Sequence, residues 1–352
     1  MMHFVVISSL HYALNQVVLS MSDKIIFALP TCLVLAVLSY YVVEKLLKNF
    51  NLKQVYTVAV VSIVVIVLIC VGVNMSGGNK TSGALEKMDE YAQNDNFICF
   101  GGRALDNSVN CPTFGASNES TQLMARFDAY KMPGDVQDPN NSGVTEYGDL
   151  NSTEVVVTIG NSHMMHWAAA LQEIGLKHHL KIIYTLDIAK YELPTNYHIK
   201  SVLTSWLYSN GGYSSEIDSR LYDVAEFALQ HDATLIAFED VPYYTKISAD
   251  EVNLMINREV NVPNMAINDP NWKLDKRAAL RTARMPFDTL DKTEITNKYK
   301  RLYTESRFCD DAFCYPTIGG VTTHIDPSHL TQTYNRTLMP WLERQLESLG
   351  GI

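Results

Sequence analysis

Two long apolar runs dominate the first 75 residues of the chain: no charged residue stands in 25–43 or in 56–73. At about 1.5 Å of rise per residue, each run matches a bilayer's hydrocarbon core, so the pattern predicts two membrane helices. A third charge-free stretch, 1–22, holds His3, His11 and Asn15 and is the weaker candidate. It lacks the basic start and small-residue cleavage site of a signal peptide. The connection between the strong spans carries Lys45, Lys48 and Lys53. A lysine-rich short loop favours the cytoplasmic side. The second span then runs outward, and everything after Ser76 is expected outside the cytoplasm.

Beyond the spans the pattern changes twice. Residues 76–95 are rich in Gly, Ser, Asn and charge and read as a linker. Residues 96–150 show turn formers, little periodicity and a cysteine pair, which predicts an irregular, stapled lead-in. From Glu154 a β-branched run reaches Ile159 and stops at Gly160, which predicts a strand. A helix follows over 164–175, with Trp167, Leu171 and Ile174 at helical spacing. A second strand is expected over 180–186. Leu221, Val224, Ala225, Ala228 and Leu229 share one face of a helix over 217–231. Thr234-Leu235-Ile236-Ala237-Phe238 predicts a third strand. Residues 293–306 read as a helix, and 330–349 as a final amphipathic one. Apolar strands alternating with helices imply an α/β domain over 151–352, with a parallel sheet covered on both faces.

Charge and cysteine usage narrow the function classes. The 352 residues carry a net charge of −10 with no Lys/Arg run, which argues against nucleic acid as a partner. Of the six cysteines, Cys32 and Cys70 fall inside the apolar runs, whereas Cys99, Cys111, Cys309 and Cys314 lie in the exported part. An even number in an oxidising compartment predicts two bridges, 99–111 and 309–314. No histidine accompanies these cysteines at zinc spacing, and no metal or other cofactor is expected.

Two short segments carry candidate chemistry. The first is Ile159-Gly160-Asn161-Ser162-His163, at the predicted strand-to-helix junction. A serine there projects its hydroxyl from the carboxyl edge of a sheet. The start of the next helix offers N–H groups to a developing oxyanion. The bland alternative is a helix N-cap. The second is Asp326-Pro327-Ser328-His329, just before the last predicted helix. A serine nucleophile needs a base, and the base needs a partner that fixes its tautomer. Asp326 could orient His329 while the other ring nitrogen faces Ser162; alternatively, Asp326 only caps the helix. His163 and His166 flank the serine and read as packing or substrate-side residues. His324, beside Asp326, is assigned no role. Glu239 and Asp240 form no opposed acid pair of the kind glycosidic cleavage requires.

Together these segments resemble the SGNH (GDSL-type) hydrolase superfamily. The closest resemblance is to SGNH domains fused behind acyltransferase-3 membrane domains, which O-acylate cell-surface glycans. Leu38-Ser39-Tyr40-Tyr41-Val42-Val43-Glu44-Lys45 resembles the end of such a membrane domain, and Cys309 to Cys314 sits where those proteins carry a pair. The resemblance covers about 20–75 and 150–350. It implies a three-layer, flavodoxin-like α/β/α domain behind two or three membrane helices, with Ser162, Asp326 and His329 as catalytic triad. Gly160, Asn161 and His163 complete the first motif, in which Asn161 stands where Asp is commonest. The superfamily's oxyanion Asn has no counterpart, since Glu239 and Asp240 follow the third strand. The Ser162 N–H with Gly211 and Gly212 are the candidate oxyanion donors.

The implied activity is acyl transfer to a surface glycan, from the outer side of a cytoplasmic membrane into the periplasm or beyond. An esterase using the same triad and a non-catalytic glycan-binding module are the rivals. An acyltransferase-3 domain resembles a bundle of about ten helices, and this chain has room for two or three. The chain is therefore expected to be a truncated acyltransferase or a split half that depends on a separate membrane acyl donor.

Overall fold

Alternation along the strands decides how the chain beyond the apolar runs folds. The computed structural model describes residues 90–94, 96–115, 144–188, 193–207, 215–244, 262, 266, 269, 271–280, 285–294 and 298–352. The chain divides into Met1–Gly83 and Ala84–Ile352, and only the second unit contains described residues. The expected membrane spans and linker start lie outside them. Among the described residues no helix is long and apolar enough to cross a membrane.

Six strands form one mixed, mostly parallel sheet: β1 (Val144–Gly148), β2 (Glu154–Gly160), β3 (Lys181–Thr185), β4 (His198–Ser205), β5 (Thr234–Phe238) and β6 (Lys300–Leu302). Their order is β1-β3-β2-β4-β5-β6. Every pairing is parallel except β1 with β3. The expected parallel sheet thus gains an antiparallel edge strand, drawn from the end of the segment that reads as irregular.

Helices pack on both faces. On one face Val156, Ile182, Leu203, Ile236 and Phe238 meet Trp167 and Leu171, with Leu342 and Leu346 from the C-terminal helix. On the other, Val155, Val157, Ile159, Ile183 and Val202 meet Leu221, Val224 and Ala228. Successive side chains of a strand point to opposite faces, so the continuous apolar run of β2 feeds both cores. The helices concerned are α1 (Ser162–Met165), α2 (Ala168–Lys177), α3 (Ser215–Gln230), α4 (Gln332–Thr337) and α5 (Met339–Ser348).

Three elements differ from expectation. The helix expected over 293–306 is instead strand β6 followed by a 3-10 turn, Glu305–Arg307. Tyr299 and Leu302, three apart, fit a helix face, yet they enter opposite cores because the segment is extended. Strand β4 has no counterpart in the sequence pattern. Its pairing to β2 jumps from Ile199 to Ser201, which leaves Lys200 in a bulge. A bulge breaks the two-residue period and places Ile199 and Val202 on the same face. The expected final helix is two helices, α4 and α5, that meet at Leu338. Pro340 at the start of α5 has no N–H to continue α4.

Both disulfides pair as expected, Cys99 with Cys111 and Cys309 with Cys314. The lead-in packs against the C-terminal segment. The Gly102 N–H donates to Thr337 Oγ1 at 2.8 Å, and the Gly101 N–H donates to the Gly319 carbonyl at 2.9 Å. Gly101 and Gly319 both have positive φ, and a side chain on Gly319 would collide with the Gly101 backbone.

Candidate active site

Strand β2 leaves the sheet at the point where chain order reverses, with β3 on one side and β4 on the other. Such a switch point opens a crevice at the carboxyl ends of the strands. The backbone there is held tightly. Tyr184 Oη donates to the Gly160 carbonyl at 3.0 Å, and Thr204 Oγ1 donates to the Ile159 carbonyl at 2.8 Å. A Cβ on Gly160 would run into the Ser205 carbonyl oxygen of β4. Glycine is therefore required here by the close approach of the neighbouring strand.

Asn161 fixes the turn that follows. Its Oδ1 accepts from the His163 N–H at 3.1 Å and from the Leu207 N–H at 3.1 Å. Its Nδ2 donates back to the Leu207 carbonyl at 3.3 Å. The cap of α1 is thus Asn161, which leaves Ser162, the first helical residue, with a free-standing hydroxyl.

That hydroxyl meets His329. Ser162 Oγ lies 2.8 Å from His329 Nε2, and His329 Nδ1 lies 2.7 Å from Asp326 Oδ2. Asp326 accepts from the Nδ1–H, so Nε2 is left with the lone pair that accepts a hydrogen bond from the serine hydroxyl. The other oxygen of Asp326 accepts from the Ser328 and His329 N–H groups, each at 2.8 Å. Burial alone would raise the Asp326 pKa. The hydrogen bonds from His329 and Ser328, with the electrostatic pull of the His329 side chain, outweigh burial and lower it to about 2. The carboxylate therefore stays ionised across the physiological range.

Asp326 is not the helix cap. Thr331 takes that role, with its Oγ1 accepting from the Tyr334 N–H at 3.2 Å. The loop bearing Asp326 and His329 closes on itself through Ile325 N–H to the His329 carbonyl at 2.9 Å. It is tied to the exit of β5 by Tyr244 N–H to the Pro327 carbonyl at 2.8 Å.

A second imidazole–carboxylate pair stands behind the first. His163 and Asp240 are both buried, with Nδ1 2.5 Å from Oδ1, and the same Oδ1 accepts from the Val241 N–H at 2.8 Å. The His163 ring lies 5.1 Å from the His329 ring and 5.1 Å from that of His166. Burial, then the neighbouring His163, His329 and His324, push the His166 pKa well below its ordinary value. Burial likewise lowers that of His324 to about 3 against the pull of Asp326. Glu239 faces elsewhere, accepting from the Thr304 and Glu305 N–H groups at 3.2 Å each. In the sequence Asp240 reads as half of a rejected glycosidase pair and as a residue standing where the oxyanion Asn is expected. The available signal was an acid directly after an apolar strand, where burial demands a partner.

Gly211 and Gly212 lie outside the described residues. Among the described residues, the His/acid cluster with metal-ligand spacing is His178, Glu343 and Glu347. It sits at the far end of α2 from Ser162, and Lys177 already pairs with Glu343 at 2.8 Å. In comparisons with known proteins, no family model and no curated protein matches the chain.

Proposed function

We propose that the chain is an extracytoplasmic, membrane-anchored serine O-acyltransferase of the SGNH type that acts on cell-surface glycan. The observation that carries this reading is the continuous relay from Ser162 Oγ through His329 to Asp326. The parallel strands, taken as β3-β2-β4-β5-β6, follow the 2-1-3-4-5 order of flavodoxin-like folds, which agrees with the three-layer SGNH reading.

In the first half-reaction Ser162 Oγ bonds to the acyl carbon of an ester or thioester, and its proton passes to His329 Nε2. The bond to the leaving oxygen or sulfur breaks, and the leaving group takes that proton. In the second half, a sugar hydroxyl gives its proton to His329 and attacks the acyl-serine. Ser162 leaves with the proton returned. Asp326 stabilises the imidazolium in both halves. The Ser162 N–H, at the start of α1, is one donor to the oxyanion, and Gly211 and Gly212 are the proposed source of the others. No metal or nucleotide enters the scheme. In this reading the acyl group reaches Ser162 from an acyltransferase-3-type membrane domain.

The test is labelling of the full chain, in detergent, with a fluorophosphonate that reacts only with activated serines. Labelling that disappears in Ser162→Ala supports the acyl-transfer reading, and absence of labelling favours a glycan-binding module. Turnover of an acetyl ester with and without a glycan acceptor then separates transfer from hydrolysis.

A further inference from the structure

The pair formed by His163 and Asp240 is unused by the relay, and its surroundings explain why it is there. Both side chains are essentially excluded from solvent, at 0% and 1%. His163 follows the serine on α1, and Asp240 closes the carboxyl end of β5, 77 residues away. The groups facing them are His329 and His166, whose rings lie 5.1 Å from that of His163, with His324 and Asp326 on the loop beyond. Among the described residues, His163 Nε2, both nitrogens of His166, His324 Nε2 and Asp240 Oδ2 are buried with no hydrogen-bond partner.

The hydrogen bond between Nδ1 and the Asp240 carboxylate holds the His163 ring in one orientation, and that ring stands beside the imidazole that meets Ser162.

We infer that the pair is a positioning device for His329. Asp240 fixes the His163 ring against the catalytic imidazole, and its carboxylate, joined through His163, adds to that of Asp326 a second acidic group that favours protonation of His329 as Ser162 attacks. This rests on the acyl-transfer reading of Ser162. His163 and Asp240 are positioning residues in it, since neither touches the reacting atoms.

The experiment measures the rate of fluorophosphonate labelling of the full chain against pH, for the wild type and for Asp240→Asn. The amide keeps the shape and an oxygen for the Val241 N–H but removes the charge. The expected result is an acid limb displaced to lower pH by about half a unit or more, with a plateau rate reduced several-fold because the base is weaker. An unmoved limb overturns the inference, and so does a limb displaced upward. Absence of labelling in the wild type instead sinks the reading on which both rest. Should Asp240→Asn fail to fold, spectra of the wild-type chain labelled with 15N-histidine give the answer. A step in the His163 resonances that coincides with protonation of His329 supports the coupling, and His163 resonances indifferent to it overturn it.

Discussion

Asn161 and Leu207 hold each other by a two-way hydrogen bond, side-chain amide to backbone, across the carboxyl edge of the sheet. This joins the serine turn after β2 to the exit of β4, beyond the last pair of the ladder between them, Gly160 with Ser205. Asn161→Ala should therefore lose both the clamp and the helix cap, at about 1–2 kcal/mol. Asn161→Asp keeps both acceptor bonds and loses only the Nδ2 donation, so it should retain most of the stability. Thermal melts of the two variants, beside their fluorophosphonate labelling rates, test this. Equal losses for both would mean that the amide proton matters more than the cap.

Ser162→Ala should abolish turnover of acyl esters and leave stability within about 0.5 kcal/mol, because the hydroxyl fills no core position. Asp326→Asn should reduce the rate by about 10³–10⁴-fold, since an amide at this position lets His329 adopt the wrong tautomer. Steady-state kinetics on a small acetyl ester is the measurement. Full turnover in Ser162→Ala would remove the serine from the mechanism.

Acid should weaken the fold well above the ordinary carboxylate range. His324, with its pKa lowered from 6.5 to about 3, and His166, lowered in the same sense, stay neutral when folded and are protonated when unfolded. Below pH 6.5 the unfolded chain thus binds more protons, and each such histidine costs about 1.4 kcal/mol per pH unit until its folded pKa is reached. Asp326 acts in the same direction lower down, its contribution being lost as pH falls from 3.8 to about 2. Urea midpoints should fall from pH 7 to pH 5, and His324→Gln should flatten the slope. A midpoint independent of pH over that interval would contradict the burial of these rings as neutral groups.

Thiol labelling of denatured, unreduced protein should reach only Cys32 and Cys70, since the other four cysteines are paired. Closing the 12-residue separation between Cys99 and Cys111 should contribute about 2–3 kcal/mol. Modification of all six by a maleimide would contradict both bridges.

The parts of the fold that the sequence reveals are those with unbroken local periodicity. β2, β5 and α3 stand within two residues of their expected bounds, because long apolar runs and a clear helical face need no tertiary context. β4 is hidden by its bulge at Lys200, and β6 is a three-residue piece that becomes a strand only beside β5. The two segments holding Ser162 and the Asp326–His329 loop were legible because each is short and local. Their meeting at 2.8 Å was a matter of topology that only the sheet order supplies. The pairing of His163 with Asp240 was not legible. His163 closes the serine motif and Asp240 follows an apolar strand, but nothing in the 76 intervening positions indicates that burial joins them.

The 166 residues between Ser162 and His329 also set a timetable. A chain that emerges in order of synthesis presents the serine turn long before the imidazole it meets. On the proposed reading, the nucleophile is in place but inert when β5 has formed. It becomes competent only once the loop after Cys314 has folded back onto Tyr244, so a half-emerged chain attacks no ester it meets.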